Sequence, residues 1–264
     1  MLLLFVVGCK KKHDIELRSY SYSDSLSYKE RNSSTHIGLI SEIRLSQLHT
    51  TSDKQSEQRV VKYINNFIIN EINSSYKDES PDSIVYHIAK ENMSELLSNL
   101  REKDLIENED STSSAIYDET ELSDTLYNRI YADCHYGLGD TIMCLRISSS
   151  VYTGGAHPGK TTYCHSFSLN DGSMIRQNTI VSRQDKPELL KRIKKRLMEM
   201  KHFNDESELE TNGYREIYVS PYILLEDDSI TFFYESYSIA PFCEGDIEIK
   251  FSYKELEDIT LINK

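Results

Sequence analysis

Tryptophan is absent from this chain of 264 residues, and so is an apolar run long enough to span a bilayer. The apolar run over residues 2–8 is far shorter than the roughly 20 residues that a transmembrane helix needs. An excess of basic residues is also lacking, because the net charge is −13. That charge argues against nucleic-acid binding, which depends on a basic face, and against electrostatic adhesion to anionic lipid.

What the chain does contain is tyrosine. Eighteen tyrosines and eight phenylalanines supplement a modest apolar content of 38%. Their large amphipathic rings can close a hydrophobic core. The length is sufficient for one large domain or two small ones.

The N-terminus resembles a bacterial lipoprotein signal. The letters VVGC end at Cys9, with a small residue before the cysteine, and the polar KKKHD follows at once. The pattern predicts a signal peptide over residues 1–8 and a lipid on Cys9, which anchors stably when two or more acyl chains are attached. We expect an extracytoplasmic protein, at the periplasmic side of an outer membrane. The alternative is an apolar terminus with a chance cysteine. A basic n-region is missing, which indicates a true start upstream of Met1.

The first half of the chain is predicted to contain a tether and a lobe. Residues 9–35 are rich in serine and tyrosine without a helical period, which favours a flexible tether. Near-alternating apolar residues predict a strand over residues 36–45. Helical periods follow over residues 53–72 and after Pro81. These elements define an N-terminal lobe over residues 36–110.

Residues 111–264 are predicted to form a β-rich lobe with one amphipathic helix over residues 186–201. Three successive strands lie within residues 127–169, and two more begin near Ser229 and Asp246. Because basic residues are frequent in the helix, its polar face could bind an anion, although a solvated face is the interpretation that the pattern favours. The fold class expected is therefore α+β, a mainly antiparallel sheet with three or so packed helices.

Four cysteines follow Cys9 and can pair in three ways. A hairpin centred near Gly139 would place Cys134 opposite Cys144, which leaves Cys164 to pair with Cys243. Strand periodicity places Cys144 and Cys164 on the polar face of their strands. A zinc site is the alternative, because Cys-His dipeptides occur at 134–135 and 164–165. Neighbouring strand residues point to opposite faces, and metal-binding motifs such as Cys-x-x-Cys are lacking, so we expect no metal and no cofactor.

The stretch YTGGAHPGK is the chain's most conspicuous loop. The plain interpretation is a wide turn, since glycines supply positive φ and Pro158 holds the residue before it extended. A second interpretation is a loop that recognises a partner. A third is catalysis with His157 as general base, which needs a nucleophile or metal and a convergence with His135 and His165. The candidate binding residues are Tyr152, Thr153, Gly154, Gly155 and His157.

Two motifs carry a family resemblance. YTGGAH, followed by a strand, LNDGSMI and a helix, and the later FYESYSIAPFCEGDIEIKFSYKEL are similar to an uncharacterised extracytoplasmic domain family. That family includes the sensor domain of the lysozyme-sensing anti-sigma factor and the non-catalytic N-terminal region of a peptidoglycan deacetylase. The resemblance covers residues 142–256, and a weaker resemblance extends back to about His36. It implies an α+β envelope-binding domain without catalysis of its own.

The chain also departs from those relatives. It contains neither the anti-sigma factor's transmembrane helix nor the deacetylase's catalytic domain. Of these relatives' functions we therefore expect only that of the binding domain. We therefore expect a lipid-anchored, non-catalytic envelope protein that binds a basic envelope protein or a wall component. A second candidate binding segment is the turn formed by Ala240, Pro241 and Gly245. The alternative function is a hydrolase that acts on envelope glycans or peptides through His157.

Overall fold

The computed structural model describes residues 14–103, 105–106, 112–113 and 122–262. Strands β1 to β9 span Ile15–Lys29, His36–Thr50, Thr112–Ser113, Leu122–Gly137, Ile142–Tyr152, Gly159–Ser168, Tyr222–Leu225, Ser229–Tyr234 and Ile247–Ser252. Helices α1 to α5 span Gln55–Asn73, Pro81–Glu102, Gln177–Ile180, Lys186–Lys201 and Glu206–Thr211. The described strands form one sheet ordered β3-β1-β2-β4-β5-β6 and a second ordered β7-β8-β9. The α+β prediction is confirmed.

The first strand replaces the predicted tether. β1 pairs with β2 over its whole length, from Ile15 opposite Thr50 to Lys29 opposite His36. The tether predicted over residues 9–35 is therefore wrong for the fifteen residues of β1. The predicted signal peptide and Cys9 lie outside the described residues.

The large sheet also joins the two predicted lobes. β2 pairs in parallel with β4, with Ile37 opposite Asp124 and Leu45 opposite Ala132. Parallel neighbours require a crossover, and α1 and α2 lie on the chain between these two strands. A boundary between residues 110 and 111 therefore does not separate two bodies, because strands from both sides belong to one sheet.

Helices α1 and α2 cover one face of the large sheet. The buried stripe of α1 includes Val60, Ile64 and Ile68, as its helical period predicts. Ser80 caps the start of α2 by accepting a hydrogen bond from the amide of Ser83, and Pro81 occupies the first turn. Both helices pack on the apolar residues of the central strands.

The second sheet covers the opposite face at β5 and β6. Its strands bury their side chains together with Cys144 and Cys164 from the large sheet. Those two cysteines, predicted on a polar face, are fully buried because a second layer covers that face. The prediction failed since a strand covered on both sides no longer shows which alternate residues face solvent.

No helix in the described part of the chain is long and apolar enough to cross a membrane.

Candidate functional site

The YTGGAHPGK loop connects two neighbouring strands. Gly154 and Gly155 adopt φ values of 86° and 127°, which residues with a Cβ rarely adopt. The hydroxyl of Tyr152 donates to the carbonyl of Gly155 at 3.1 Å, and Lys103 Nζ donates to the carbonyl of Thr153 at 2.6 Å. The loop is therefore a turn with defined internal bonds, anchored by the residue that follows α2.

The second candidate segment is equally anchored. After Pro241, residues Phe242–Glu244 form one turn of 3₁₀ helix, and Gly245 ends it with a φ of 67°. The Glu244 carboxylate accepts hydrogen bonds from Lys201 and, at 3.0 Å, from the hydroxyl of Tyr214. These bonds hold the pKa of Glu244 below its ordinary value.

The two candidate segments meet through their aromatic rings. The imidazole of His157 stacks on the ring of Phe242, with 4.2 Å between centroids and 25° between planes. Phe242 in turn lies 5.2 Å from the ring of Tyr237. We refer to His157, Phe242 and Tyr237 as the aromatic stack. Tyr237 is 64% exposed, so the stack presents ring surface to solvent.

A carboxylate fixes the backbone beneath the stack. Asp246 accepts hydrogen bonds from Lys160 Nζ at 2.6 Å, from Thr162 Oγ1 at 3.3 Å and from the amide and hydroxyl of Ser236. Burial acts to raise the pKa of Asp246, but the bonds from Lys160 and Ser236 outweigh it and keep the pKa below its ordinary value. Asp246 thereby ties β6 to the segments before and after the Phe242 turn.

The three histidines lie in three different surroundings. His157 belongs to the aromatic stack, while His165 packs against the rings of Phe67 and Tyr222. His135 is exposed on β4, opposite Cys144. Burial, with a smaller contribution from Arg176, lowers the pKa of His165 to about 4. The convergence that a three-histidine hydrolase requires is thus not formed, and the geometry gives that alternative no support.

Within the described ranges, no three His, Cys, Asp or Glu side chains lie close enough together to hold a metal ion.

The predicted disulfides are wrong. Cys134, Cys144, Cys164 and Cys243 are all free. The β4–β5 turn has positive φ at both Gly139 and Asp140, which centres the hairpin between them and not on Gly139.

This half-residue change in the centre shifts the pairing by one residue. Cys134 lies opposite Leu145 and Cys144 opposite His135, so the two thiols point to opposite faces of the sheet. The other predicted pair also fails, because Cys164 is fully buried whereas Cys243 is exposed in the Phe242 turn.

Tyr237 and Phe242 are binding candidates that do not belong to the set predicted from the sequence. Both lie within the FYESYSIAPFCEG stretch that carries the family resemblance. One feature of the sequence does indicate them, because two aromatic residues flank a turn that contains proline. Their partner His157 lies far away along the chain, and the sequence offers no periodicity that links them.

Comparison with known proteins supports a domain assignment. Residues 177–254 match the family model described as a protein of unknown function, DUF3298. Over this segment the chain is similar to the DUF3298 domain. The matched residues include Tyr237 and Phe242 of the aromatic stack but not His157. No curated protein matches the chain in sequence.

Solved structures of DUF3298 proteins share the fold. A family member from Bacteroides fragilis is 21% identical, with a TM-score of 0.71 and 95% of each chain covered. A DUF3298 protein from Pseudomonas aeruginosa is 13% identical, with a TM-score of 0.56 and coverage of 94% of this chain and 95% of that one. At these identities the likeness is one of fold.

Proposed function

We propose that this chain is a non-catalytic binding protein of the cell envelope, with the aromatic stack as its recognition surface. The observation that carries the proposal is the contact between His157 and Phe242. It joins two segments that the sequence predicts separately as binding candidates. Exposed, pre-positioned aromatic rings are typical of recognition surfaces, since they offer a large contact area at a small cost in side-chain entropy.

The backbone under the stack supports the same proposal. Tyr237 has a φ of 70°, a left-handed conformation that costs free energy in a residue with a Cβ. Strain of this kind is retained where the surrounding structure imposes it, often at binding sites. Here Asp246 holds the neighbouring amide of Ser236 at 3.1 Å.

A lipid on Cys9 is the second part of the proposal. The VVGC pattern supports it, and β1 begins six residues later, at Ile15. Six residues span at most roughly 20 Å. An anchor at Cys9 would therefore hold the large sheet close to the bilayer, without the long tether that the sequence predicted.

The partner classes that we propose are a basic envelope protein and a wall component. The net charge of −13 favours a basic protein, and the resemblance to the lysozyme-sensing domain points to the same class. Association of this kind weakens as salt rises. Aromatic surfaces also stack on the apolar faces of sugars, which makes wall glycan the competing partner.

The test compares these two partners on one pair of variants. The full chain carrying Cys9→Ser, which removes the acylation site, is titrated with a lysozyme by calorimetry and sedimented with purified peptidoglycan. Tyr237→Asn is the informative variant, because asparagine tolerates positive φ better than tyrosine and the fold should be retained. Tyr63→Ala, at an exposed tyrosine on α1, is the matched control.

We expect one of the two partners to bind the parent chain and the Tyr63→Ala control equally. Tyr237→Asn should weaken that binding by about tenfold or more. Equal binding by parent and Tyr237→Asn would exclude the aromatic stack as the site. Absence of binding to both partners would overturn the proposal.

The anchor is tested separately by detergent phase separation of bacterial membranes. The chain with Cys9 should enter the detergent phase, and the Cys9→Ser chain the aqueous phase. An equal distribution of the two chains between the phases would contradict lipidation of Cys9.

A further inference from the structure

A cavity separate from the aromatic stack lies where β6 meets the start of β7. Its volume is about 530 Å³. Its lining combines ring and apolar side chains with two cations: His165, Met174, Arg176, Lys186, Pro221 and Tyr222. None of its lining residues belongs to the aromatic stack, so this cavity is not part of the site already described.

Backbone bonds set the shape of this cavity. The amide of Ile175 donates to the carbonyl of Ser166 at 2.8 Å, and Phe167 and Met174 form an antiparallel bridge. These contacts hold the Met174–Arg176 segment along β6, beside His165. The cation of Arg176 is thus kept close enough to contribute to lowering the pKa of His165.

The second cation is also positioned. Gln177 Nε2 donates to the carbonyl of Val219, which fixes the amide group. Gln177 Oε1 then accepts a hydrogen bond from Lys186 Nζ at 2.9 Å. The ammonium group of Lys186 is therefore oriented by a neutral side chain, and its other protons remain available to a ligand.

In the part of the chain that the structure describes, neither Arg176 nor Lys186 forms an ion pair with a carboxylate. Two cations further along α4 do have such partners, since Arg192 pairs with Asp258 and Lys194 with Glu206, at 2.6 and 2.7 Å. Two cations that line one cavity without a carboxylate partner leave their charge available to an anionic ligand.

The rest of the cavity wall is uncharged. The imidazole of His165 meets the ring of Phe67 edge to face at 5.2 Å, and burial keeps this imidazole neutral at ordinary pH. Tyr222 remains protonated because burial raises its pKa, with smaller effects from Glu235 and Glu71. These two carboxylates do not line the cavity.

We propose that this cavity binds a small organic anion, with a carboxylate or phosphate head on Arg176 and Lys186 and an apolar or ring body against Tyr222 and Met174. A guanidinium and an ammonium that line the same cavity match such a head group, since hydrogen bonds between ionised partners are the stronger ones. A concave, mostly apolar wall with a few convergent polar groups is the usual form of a small-molecule site.

Phenyl phosphate is the probe, because it carries both features. Inorganic phosphate supplies the head alone and phenol supplies the body alone. Each is titrated by calorimetry into the full chain carrying Cys9→Ser. We expect phenyl phosphate to bind at least about tenfold more tightly than either fragment, because only the complete probe uses both walls. The ring protons of His165 should shift in NMR spectra during the titration.

Two double variants distinguish binding in the cavity from a general effect of the protein's charge. Arg176→Gln combined with Lys186→Gln removes both proposed head-group ligands. Lys191→Gln combined with Lys195→Gln, on the solvent side of α4, removes the same amount of charge elsewhere. We expect the first pair to weaken phenyl phosphate binding by about tenfold or more, and the second pair by less than about twofold.

Three results would overturn the proposal. They are no binding of phenyl phosphate at millimolar concentration, equal affinity for phenyl phosphate and inorganic phosphate, and equal weakening by both variant pairs. Because Tyr237→Asn leaves this cavity intact, that variant should bind phenyl phosphate as the parent does. Failure of the aromatic stack proposal and failure of this one are therefore distinguishable.

Discussion

Gly137 lies directly against the backbone of Leu225. A Cβ added at Gly137 would lie 2.0 Å from the Leu225 carbonyl oxygen and 2.9 Å from the sulfur of Cys144. Gly137 ends β4 in the large sheet, whereas Leu225 ends β7 in the second sheet. The missing side chain is thus what allows the two sheets to approach each other at this point.

Gly137→Ala should destabilise the protein by about 2–3 kcal/mol, because backbone atoms cannot move aside without separating the sheets. Urea unfolding followed by circular dichroism measures the change. Gly159→Ala is the control, since its Cβ would meet only the Val151 carbonyl, at 3.8 Å. We expect that control to change the free energy of unfolding by less than about 1 kcal/mol. Equal effects of the two substitutions would contradict the close approach.

Ser166 joins the same two sheets by its hydroxyl. The side chain is fully buried, donates to the carbonyl of Ile223 at 3.0 Å and accepts from the amide of Leu225 at 3.0 Å. Ser166→Ala would leave both backbone groups buried without this partner. We expect a loss of about 2–4 kcal/mol in the free energy of unfolding, measured in urea.

The control for this prediction is Ser148→Ala, on the neighbouring strand β5. Ser148 is only half-buried, so its replacement should cost less than about 0.5 kcal/mol. A Ser166→Ala chain as stable as this control would show that the hydroxyl does not bridge the sheets.

Local patterns predicted most of the second half of the chain. The strands that contain Cys144 and Cys164 and the helix from Lys186 to Lys201 were all located, because their alternation and helical period are properties of adjacent residues. β1 was missed for a physical reason. Its inward positions carry residues such as Tyr20 and Tyr22, and its outward positions carry serines, so the alternation involves amphipathic rings and escapes a purely apolar pattern.

The sequence did not predict contacts between segments that lie far apart along the chain. The contact between His157 and Phe242 depends on how β6 and β9 are brought together through Asp246, which no short segment encodes. The cysteine pairing failed on a single residue of register at Gly139. Because a strand alternates its faces, so small a shift reverses every inference about which side chains meet.

Stability should fall between neutral and mildly acidic pH because of His165. Its pKa is about 4 in the folded chain, against about 6.5 in an unfolded one. Between those values the unfolded state binds more protons, so the free energy of unfolding decreases as the pH falls. From about pH 7.5 to about pH 5 the loss from this residue is at most about 2 kcal/mol, since partial exposure moderates the effect.

His165→Phe removes the titrating group and keeps a ring against Phe67. Urea unfolding at both pH values should show a smaller loss in this variant. The pKa of His49 is also lowered, by burial and by Arg18, and contributes equally to both chains. A loss of the same size in parent and variant would contradict the assignment to His165.

Because the four cysteines are free, their order of alkylation can be predicted, and a disulfide would change that order. Burial raises the pKa of Cys144 to about 11 and of Cys164 to about 12, and it raises that of Cys134 further still. Because the thiolate is the reactive form, these three should resist alkylation in the folded chain. Cys243 is exposed and should react first. Peptide mapping of the Cys9→Ser chain before and after unfolding measures this order.

The Cys243→Ser variant tests by its stability whether Cys243 forms a disulfide. Removing a native disulfide from a domain costs about 2–5 kcal/mol, whereas replacing an exposed free thiol costs less than about 0.5 kcal/mol. We therefore expect the Cys243→Ser chain to unfold in urea at the same midpoint as its parent. A large loss of stability, together with a cross-linked peptide that contains Cys164 and Cys243, would restore the disulfide and require β6 and the Phe242 turn to rearrange.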